Sequence, residues 1–326
     1  MKAFATTTDL LPHQKEAIAK QAATRVGALF MEMGTGKSRT AIELVAMRRR
    51  RVRRVAWFCP VSLKHTIRHE ILKHTDARGE DVALFDHKTR SDNLPDAPWV
   101  IVGIESMGAS KRVILAANRL IDETTYVIVD ESSYIKGHRS KRTHWITWIS
   151  TRARYRLILT GTPVSQGVVD LYAQMRFLSP KILGYHSFYG FAANHLEYHD
   201  KFKGMIVRAH NTDLLAAKIK PYVYQVTKDE CLTLPPKTYR SEYFGMTAEQ
   251  REAYEEAKME GLLDLDESDW DSTVIFKLFG VLQQIACGFW NRRPRPTKEN
   301  PEPEVEHLTF PHKRLEALFR ALRDLP

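Results

Sequence analysis

An apolar run that breaks into glycine, then lysine and serine, then a helical pattern fixes most of what this chain can become. Residues Ala28–Thr40 read ALFMEMGTGKSRT. Gly34 and Gly36 permit backbone angles that other residues resist. Their N–H groups can then turn inward at the start of a helix, where the dipole favours negative charge. Lys37 can reach terminal phosphates, and the Ser38 hydroxyl suits Mg²⁺. The strict pattern G-x-x-x-x-G-K-[ST] wants glycine where Met31 stands, so the shorter G-x-G-K-[ST] is what remains. Taken alone, that is an ordinary glycine turn before a helix. The strand–turn–helix order argues for phosphate.

The surroundings agree. Short apolar runs at Gly27–Met31, Val52–Cys59, Trp99–Gly103, Tyr126–Val129 and Arg156–Leu159 alternate with helical patterns such as Ser38–Arg50 and Leu63–His74. In the first of these, Ile42, Val45 and Ala46 share a face. Strand–helix alternation implies an α/β fold, a parallel sheet covered by helices on both faces.

Residues Tyr126–Ser133 read YVIVDESS. Two carboxylates at a strand's C-terminal edge face the same crevice as the glycine loop. Asp130 is placed to hold Mg²⁺ through water and Glu131 to deprotonate an attacking water. Asp and Ser as helix caps are the plainer alternative for the pair alone. Leu157–Pro163, LILTGTP, ends a further apolar run in Thr160, Gly161 and Thr162, which suit γ-phosphate sensing or simply cap a Gly-Pro turn.

Composition sets limits. With 326 residues the chain spans one large domain or two ordinary ones. A net charge of +10 favours polyanionic partners. Cys59, Cys231 and Cys287 show neither metal-ligand spacing nor a disulfide framework. Cys59 reads as core. No apolar run approaches the ~18 residues of a membrane helix. Past residue 165 the pattern turns to helices and loops, with aromatics at Tyr185, Phe188, Tyr189, Phe191 and Tyr198 that read as core. A strand at Thr238–Phe244, a helix at Ala248–Gly261, an acidic loop at Asp264–Asp271, a helix around Ile275–Ile285, a linker at Asn291–Glu306 and an amphipathic segment at Lys313–Leu325 are expected to follow.

Together the three motifs resemble superfamily 2 helicase-like ATPases, and further residues are similar to the Swi/Snf-type double-stranded DNA translocases. Leu11–Gln14 resembles the adenine-recognising glutamine motif, with Gln14 matching, and Glu32–Ser38 resembles motif I. Pro60–Leu63 with Glu70 resembles motif Ia, and Gly103–Ser106 motif Ib. Asp130–Ser133 with Ile135 and Lys136 resembles the acidic box, although Ser133 stands where histidine is usual. Leu159–Pro163 resembles motif III, and Leu171, Tyr172, Phe177 and Leu178 the helix after it. Thr227, Lys228 and Leu234–Lys237 resemble the passage to a second lobe, and Gln283–Gly288 is similar to a helix of that lobe.

The resemblance implies a RecA-like lobe over residues 1–236, with a helical and aromatic insertion at about 170–230. Residues 237–326 would then form a linker and the beginning of a second lobe. It implies ATP and Mg²⁺ as cofactors, held by Gln14, Met33, Gly34, Thr35, Gly36, Lys37, Ser38 and Arg39, with Ser38 and Asp130 as metal ligands and Lys37, Asp130 and Glu131 as the catalytic set. It implies duplex DNA as partner, touched by Ser62, Lys64, His65, Ser106 and Lys136. Lys64 is equally well a solvated surface lysine, and the run Lys136–Arg142 an ordinary loop. The arginines at Arg48–Arg54 suit a helix end.

Motifs IV to VI, with their arginines, are absent, so a truncated chain, a half-protein or a split gene is expected. Without an arginine finger, worth ~10³–10⁵ in rate, the lobe alone would hydrolyse ATP slowly. An RNA or single-strand helicase and a non-catalytic binding lobe are the alternatives, with a P-loop kinase more remote. Localisation is expected to be cytoplasmic or nucleoid-associated in a bacterial or viral source, nuclear in a eukaryote, without a membrane.

Overall fold

The computed structural model describes residues 4–202, 204–233, 235, 239–267, 272–292, 294 and 304–323. The chain falls into two compact units, 1–235 and 236–326.

The first unit is built on a seven-stranded sheet. Its elements run α1 (Pro12–Ala22), β1 (Val26–Met31), α2 (Lys37–Met47), β2 (Arg54–Cys59), α3 (Lys64–His74), β3 (Val82–Leu84), β4 (Trp99–Gly103), α4 (Ser106–Ala109), α5 (Lys111–Leu120), β5 (Thr125–Val129), α6 (Lys141–Ser150) and β6 (Tyr155–Thr160). After these come α7 (Val169–Leu178), α8 (Pro180–Leu183), α9 (Phe188–His195), the antiparallel pair β7 (Leu196–Tyr198) and β8 (Ile206–Ala209), then α10 (Thr212–Ile219), β9 (Val223–Val226) and α11 (Lys228–Cys231). The sheet order is β3-β4-β2-β5-β6-β1-β9, and every pair in it is parallel.

The all-parallel sheet follows from the continuous apolar strands. Successive side chains of a strand point to opposite faces, and here both faces are core. Ala28, Phe30, Phe58, Val127, Val129 and Ile158 enter one cluster with α5, α6 and α7. Leu29, Met31, Trp57, Cys59, Ile128 and Leu159 enter another with α1, α2 and α3. Ile42, Val45 and Ala46 share the buried face of α2 as their spacing requires. Cys59 is wholly buried.

Several expectations are corrected. The region read as helices and loops contains β9, which pairs with β1 from Ala28↔Val223 to Met31↔Val226. It is an edge strand that contributes Val223 to one core cluster and Val226 to the other, and at four residues it is too short to show a period. The aromatics between 183 and 199 divide. Phe191 is buried, but Tyr189 is 76% exposed. Buried His195 is a core residue, its ring bonded to the Tyr185 hydroxyl at 2.8 Å and the His210 carbonyl at 3.0 Å.

The second unit comprises α12 (Ala248–Glu267), α13 (Ser272–Ala286), the antiparallel pair β10 (Phe289–Arg292) and β11 (Glu306–Thr309), and α14 (Arg314–Arg323). The strand expected at Thr238–Phe244 is absent over 239–244, where Tyr239 and Tyr243 stand in solvent. Without a neighbour to take its backbone groups, strand propensity alone forms nothing. The acidic stretch from Asp264 continues α12 to Glu267, since Leu and Glu are good helix formers, and 268–271 lie outside the described residues. Asn291 and Arg292, expected in a linker, belong to β10. Most of that linker and of Leu234–Lys237 lies outside the described residues.

Candidate functional site

The C-terminal ends of β1, β6 and β5 lie side by side, with β6 in the middle. Adjacent strands are ~4.8 Å apart. The lysine loop after β1 and the acids after β5 therefore face one another across the threonines that end β6.

The loop's shape requires its glycines. Gly34 and Gly36 have φ of +86° and +83°, the left-handed region that side chains resist. A Cβ on Gly36 would stand 2.1 Å from Gln14 Nε2. That approach is functional packing. A loop without ladder partners still needs donors for its carbonyls. Gln14 Nε2 donates to the Thr35 and Gly36 carbonyls, at 3.4 Å each, and a His13 ring nitrogen lies 2.8 Å from the Thr35 carbonyl. Gln14 Oε1 accepts from the Leu11 N–H at 2.9 Å. Gln14 thus holds the loop from outside. Buried Thr35 donates its hydroxyl to the Glu32 carbonyl at 2.7 Å, while Met33 is exposed.

Lys37 donates to the Met31 and Glu32 carbonyls at 3.0 and 3.4 Å. Burial pulls its pKa down, and Glu131, Asp130 and Glu32 push it back up. These opposing influences place the ammonium and both acids in one electrostatic neighbourhood. The half-buried Ser38 hydroxyl has no partner among the described residues. Arg39, expected at the nucleotide, is engaged within the protein. Its Nε and Nη2 donate to the Thr8 hydroxyl and carbonyl at 2.8 and 2.6 Å, and its Nη1 pairs with Glu43 at 2.8 Å. The guanidinium is spent on pinning the N-terminal segment to α2.

Asp130 is buried, and Oδ1 accepts from the Glu131 N–H at 2.9 Å. Desolvation first, and Glu131 next, push its carboxyl up to about 6. Glu131 has φ +47° and ψ +59°, a left-handed conformation that costs a non-glycine residue ~1–2 kcal/mol. Strain of this kind gathers at functional sites. Behind the acids, Thr160 Oγ1 accepts from the Thr162 N–H at 3.1 Å. A Cβ on Gly161 would lie 3.3 Å from the Met33 nitrogen, so the threonine turn backs directly onto the lysine loop.

Two residues that sequence reasoning missed join these pieces. Gln174 on α7 accepts the Ser132 hydroxyl at 2.6 Å and donates to the Pro163 and Asp170 carbonyls at 2.7 and 2.8 Å. Asp170 Oδ2 accepts from the Ser165 and Gln166 N–H groups at 2.8 and 2.9 Å and from Lys136 at 3.3 Å. Despite burial, these donors hold its carboxyl below the usual carboxylate range. The acidic box and the threonine turn are thereby tied to one helix.

A third residue is Lys228 on α11, which the sequence resemblance places only in the passage to a second lobe. Its N–H donates to Glu32 Oε2 at 2.8 Å, and its Nζ lies 3.7 Å from where a Gly34 Cβ would stand. It also lowers the pKa of Lys37. Two ammonium groups therefore flank the glycine turn.

The residues expected at nucleic acid differ in their surroundings. Ser62 and His65 are exposed and Ser106 half-buried. The Lys64 ammonium is bonded to the Phe85 carbonyl, and Lys136 to Asp170 and Ser165. These two lysines hold loops in place. Glu105 Oε2 accepts from the Val61 N–H at 3.0 Å, joining the segments that follow β2 and β4. Arg48 behaves as a helix-end residue, donating to the Gln21 and Thr24 carbonyls at 2.8 and 2.7 Å and lying over Tyr155.

Comparison with known proteins adds a family. The sequence model of the SNF2-related domain matches residues 13–288. The chain is 27% identical over 166 residues to the chromatin-remodeling ATPase INO80 of Arabidopsis thaliana, covering 49% of this chain and 11% of that protein. It is 29% identical over 240 residues to the human DNA annealing helicase and endonuclease ZRANB3, covering 70% and 22%. The Sulfolobus solfataricus SWI2/SNF2 ATPase core in complex with dsDNA superposes with a TM-score of 0.57 at 22% identity, over 88% of this chain and 60% of that one. This chain therefore spans a tenth to a fifth of those two relatives' lengths. Relatives are spread over plants, animals, fungi, a mycoplasma and an archaeon, so the matches single out no source and do not support the expected bacterial or viral one. No helix among the described residues is long and apolar enough to cross a membrane.

Proposed function

We propose, from the premise that this chain belongs to the SNF2-related domain family, that it is the ATP-binding lobe of a DNA-dependent ATPase that moves along duplex DNA. The observation that carries this reading is the convergence of Lys37 with Asp130 and Glu131 at one sheet edge, with Thr160 between them. The residues fit Mg-ATP. Two left-handed glycines shape the loop, the Ser38 hydroxyl has no partner among the described residues, and Asp130 is a buried carboxylate in the same neighbourhood as Lys37.

In this reading Gly34–Ser38 bind the phosphates through backbone N–H groups, the Lys37 ammonium and the Ser38 hydroxyl. Asp130, with Ser38, holds the magnesium side. Bound Mg²⁺ supplies charge neutralisation on the phosphoryl oxygens. The Glu131 carboxylate orients a water and accepts its proton. Thr160 and Thr162 sense the γ-phosphate, and Gln174 passes the state of their turn to the acidic box. Gln14, at the loop's flank, is the adenine-side residue. Ser62, His65 and Ser106 form the DNA-facing edge. Residues 237–326 are the beginning of a second RecA-like lobe. The protein works on DNA wherever DNA lies, in nucleus or nucleoid.

The test is ATP turnover by the natural gene product with duplex DNA, single-stranded DNA and RNA in parallel. Duplex should stimulate turnover at least about tenfold, well within what positioning contributes. Stimulation chiefly by single strands or RNA would favour a helicase of the same superfamily, and none at all would leave a binding lobe.

Lys228 gives a second expected outcome. Lys228→Ala should weaken Mg-ATP binding about five- to tenfold, near 1 kcal/mol for one half-exposed cation. Fluorescent-nucleotide titration measures this. An unchanged Kd would show that the ammonium has no part in holding phosphate.

A further inference from the structure

The α6–α7 flank of the first unit holds a cavity of about 510 Å³ that the nucleotide site does not use. Arg156 lines it. This residue is second in β6, in register with Val26 and Val127. Its neighbours Tyr155 and Leu157 point into the α1–α3 core, so Arg156 points to the other face. Four steps along the strand, ~13 Å, separate it from Thr160.

Arg156 is a charge without a structural explanation. Its Nε is sealed from solvent and has no hydrogen-bond partner among the described residues. Burial pushes its pKa down, and no neighbouring acid opposes the shift. No aspartate or glutamate lines the cavity. The Thr143 hydroxyl on the same wall is also buried and unpartnered. Arg156 is half-buried, and packed proteins seldom leave a sealed guanidinium nitrogen unanswered, because its desolvation goes uncompensated.

The rest of the lining is aromatic. His138 stacks on Phe188 with ring centres 3.5 Å apart and planes at 10°. Trp148 and Tyr189, 52% and 76% exposed, stand on the open side. Arg176 is already engaged by the Tyr172 hydroxyl and the His186 carbonyl at 2.7 and 3.0 Å.

We propose that this cavity docks an acidic peptide segment, with one carboxylate pairing with Arg156 and an adjacent aromatic or aliphatic side chain lying between Phe188, Trp148 and Tyr189. The volume suits a few side chains. Trp, Tyr and Arg are the residue types that dominate peptide and protein hot spots. A nucleic-acid strand would need a row of cations along a groove, and the cavity's lining offers one guanidinium without a side-chain partner among the described residues.

The test uses a short fluorescein-labelled peptide of glutamates flanking phenylalanine, its glutamine counterpart, and a thymidine oligonucleotide of matched charge, each titrated by anisotropy. The acidic peptide should bind below about 100 μM and the glutamine peptide at least about tenfold more weakly. Arg156→Leu should cut acidic-peptide binding at least about tenfold while melting at or above the parent's temperature, because an unpaired buried charge has been removed. Trp148→Ala, at the surface, should stay folded and bind about fivefold more weakly. The proposal fails if the acidic peptide does not bind up to about 1 mM, if both peptides bind alike, or if the oligonucleotide binds tighter with the same Arg156 dependence. It fails equally if Arg156→Leu is destabilised while Trp148→Ala binds like the parent.

Discussion

Glu131→Gln is expected to lower ATP turnover by ~10²–10⁴-fold, the range of a positioned general base, while Mg-ATP binding stays within about threefold of the parent. The argument begins with the backbone. Glu131 follows β5 directly and turns into the left-handed region, φ +47°, before the Ser132–Ile135 turn. That conformation aims the side chain off the sheet edge toward Lys37, whose pKa it raises. The ladder does not need the side chain. Glutamine keeps its length and the backbone's shape and removes only the capacity to accept a proton. Phosphate release under single-turnover conditions and fluorescent-nucleotide titration together separate chemistry from binding. A control follows from the strain. Glu131→Gly should stabilise the empty protein by up to ~1 kcal/mol, since glycine meets no steric cost at positive φ, and should lose turnover as fully as glutamine does. Turnover within threefold of the parent for Glu131→Gln would remove the residue from the catalytic set.

What the sequence showed, and what it hid, divides along contact distance in the chain. The five central strands were legible because a parallel strand covered on both faces must be apolar throughout, and Val55–Cys59 or Val127–Val129 has no other use. The glycine loop and the acids were legible because each is local to one strand end. Gln174 was not. It bonds to Ser132, 42 positions away, and nothing near it in sequence distinguishes it from a solvated glutamine. Lys228 lies 196 positions from Glu32 and meets the loop only because β9 pairs with β1. Lys64 and Lys136 show the converse. Their residue type suits a phosphate, and only the fold reveals that each also bonds within the protein, Lys64 to the Phe85 carbonyl and Lys136 to the Asp170 carboxylate. Arg39 is the same case beside the loop itself.

Asp130→Asn is expected to raise the stability of the nucleotide-free protein above pH 6 and to abolish its response to Mg-ATP. The Asp130 carboxyl is pushed from 3.8 up to about 6, by burial first and the neighbouring Glu131 next. A carboxyl whose folded pKa is raised holds its proton in the folded state after the unfolded chain has lost it. Its contribution to stability is complete below pH ~4 and lost as the pH rises through 6. Two pKa units correspond to at most ~3 kcal/mol, and relaxation of the site brings the expected gain for asparagine to ~1–2 kcal/mol at pH 8. At pH 4 the two proteins should melt alike, because the parent's carboxyl is then neutral too. Melting curves in EDTA across pH 4–8 check the sign. Adding Mg-ATP at pH 8 should reverse the order. The parent binds with a carboxylate that has gained a cation and is stabilised by mass action, ~2.7 kcal/mol at a hundredfold excess over Kd, whereas asparagine brings no charge to that exchange. Turnover should fall by at least ~10²-fold with it. An asparagine variant less stable than the parent at pH 8 without nucleotide would mean that the carboxylate already has its partners inside the protein. Asp130 would then be a structural acid with no vacancy for magnesium.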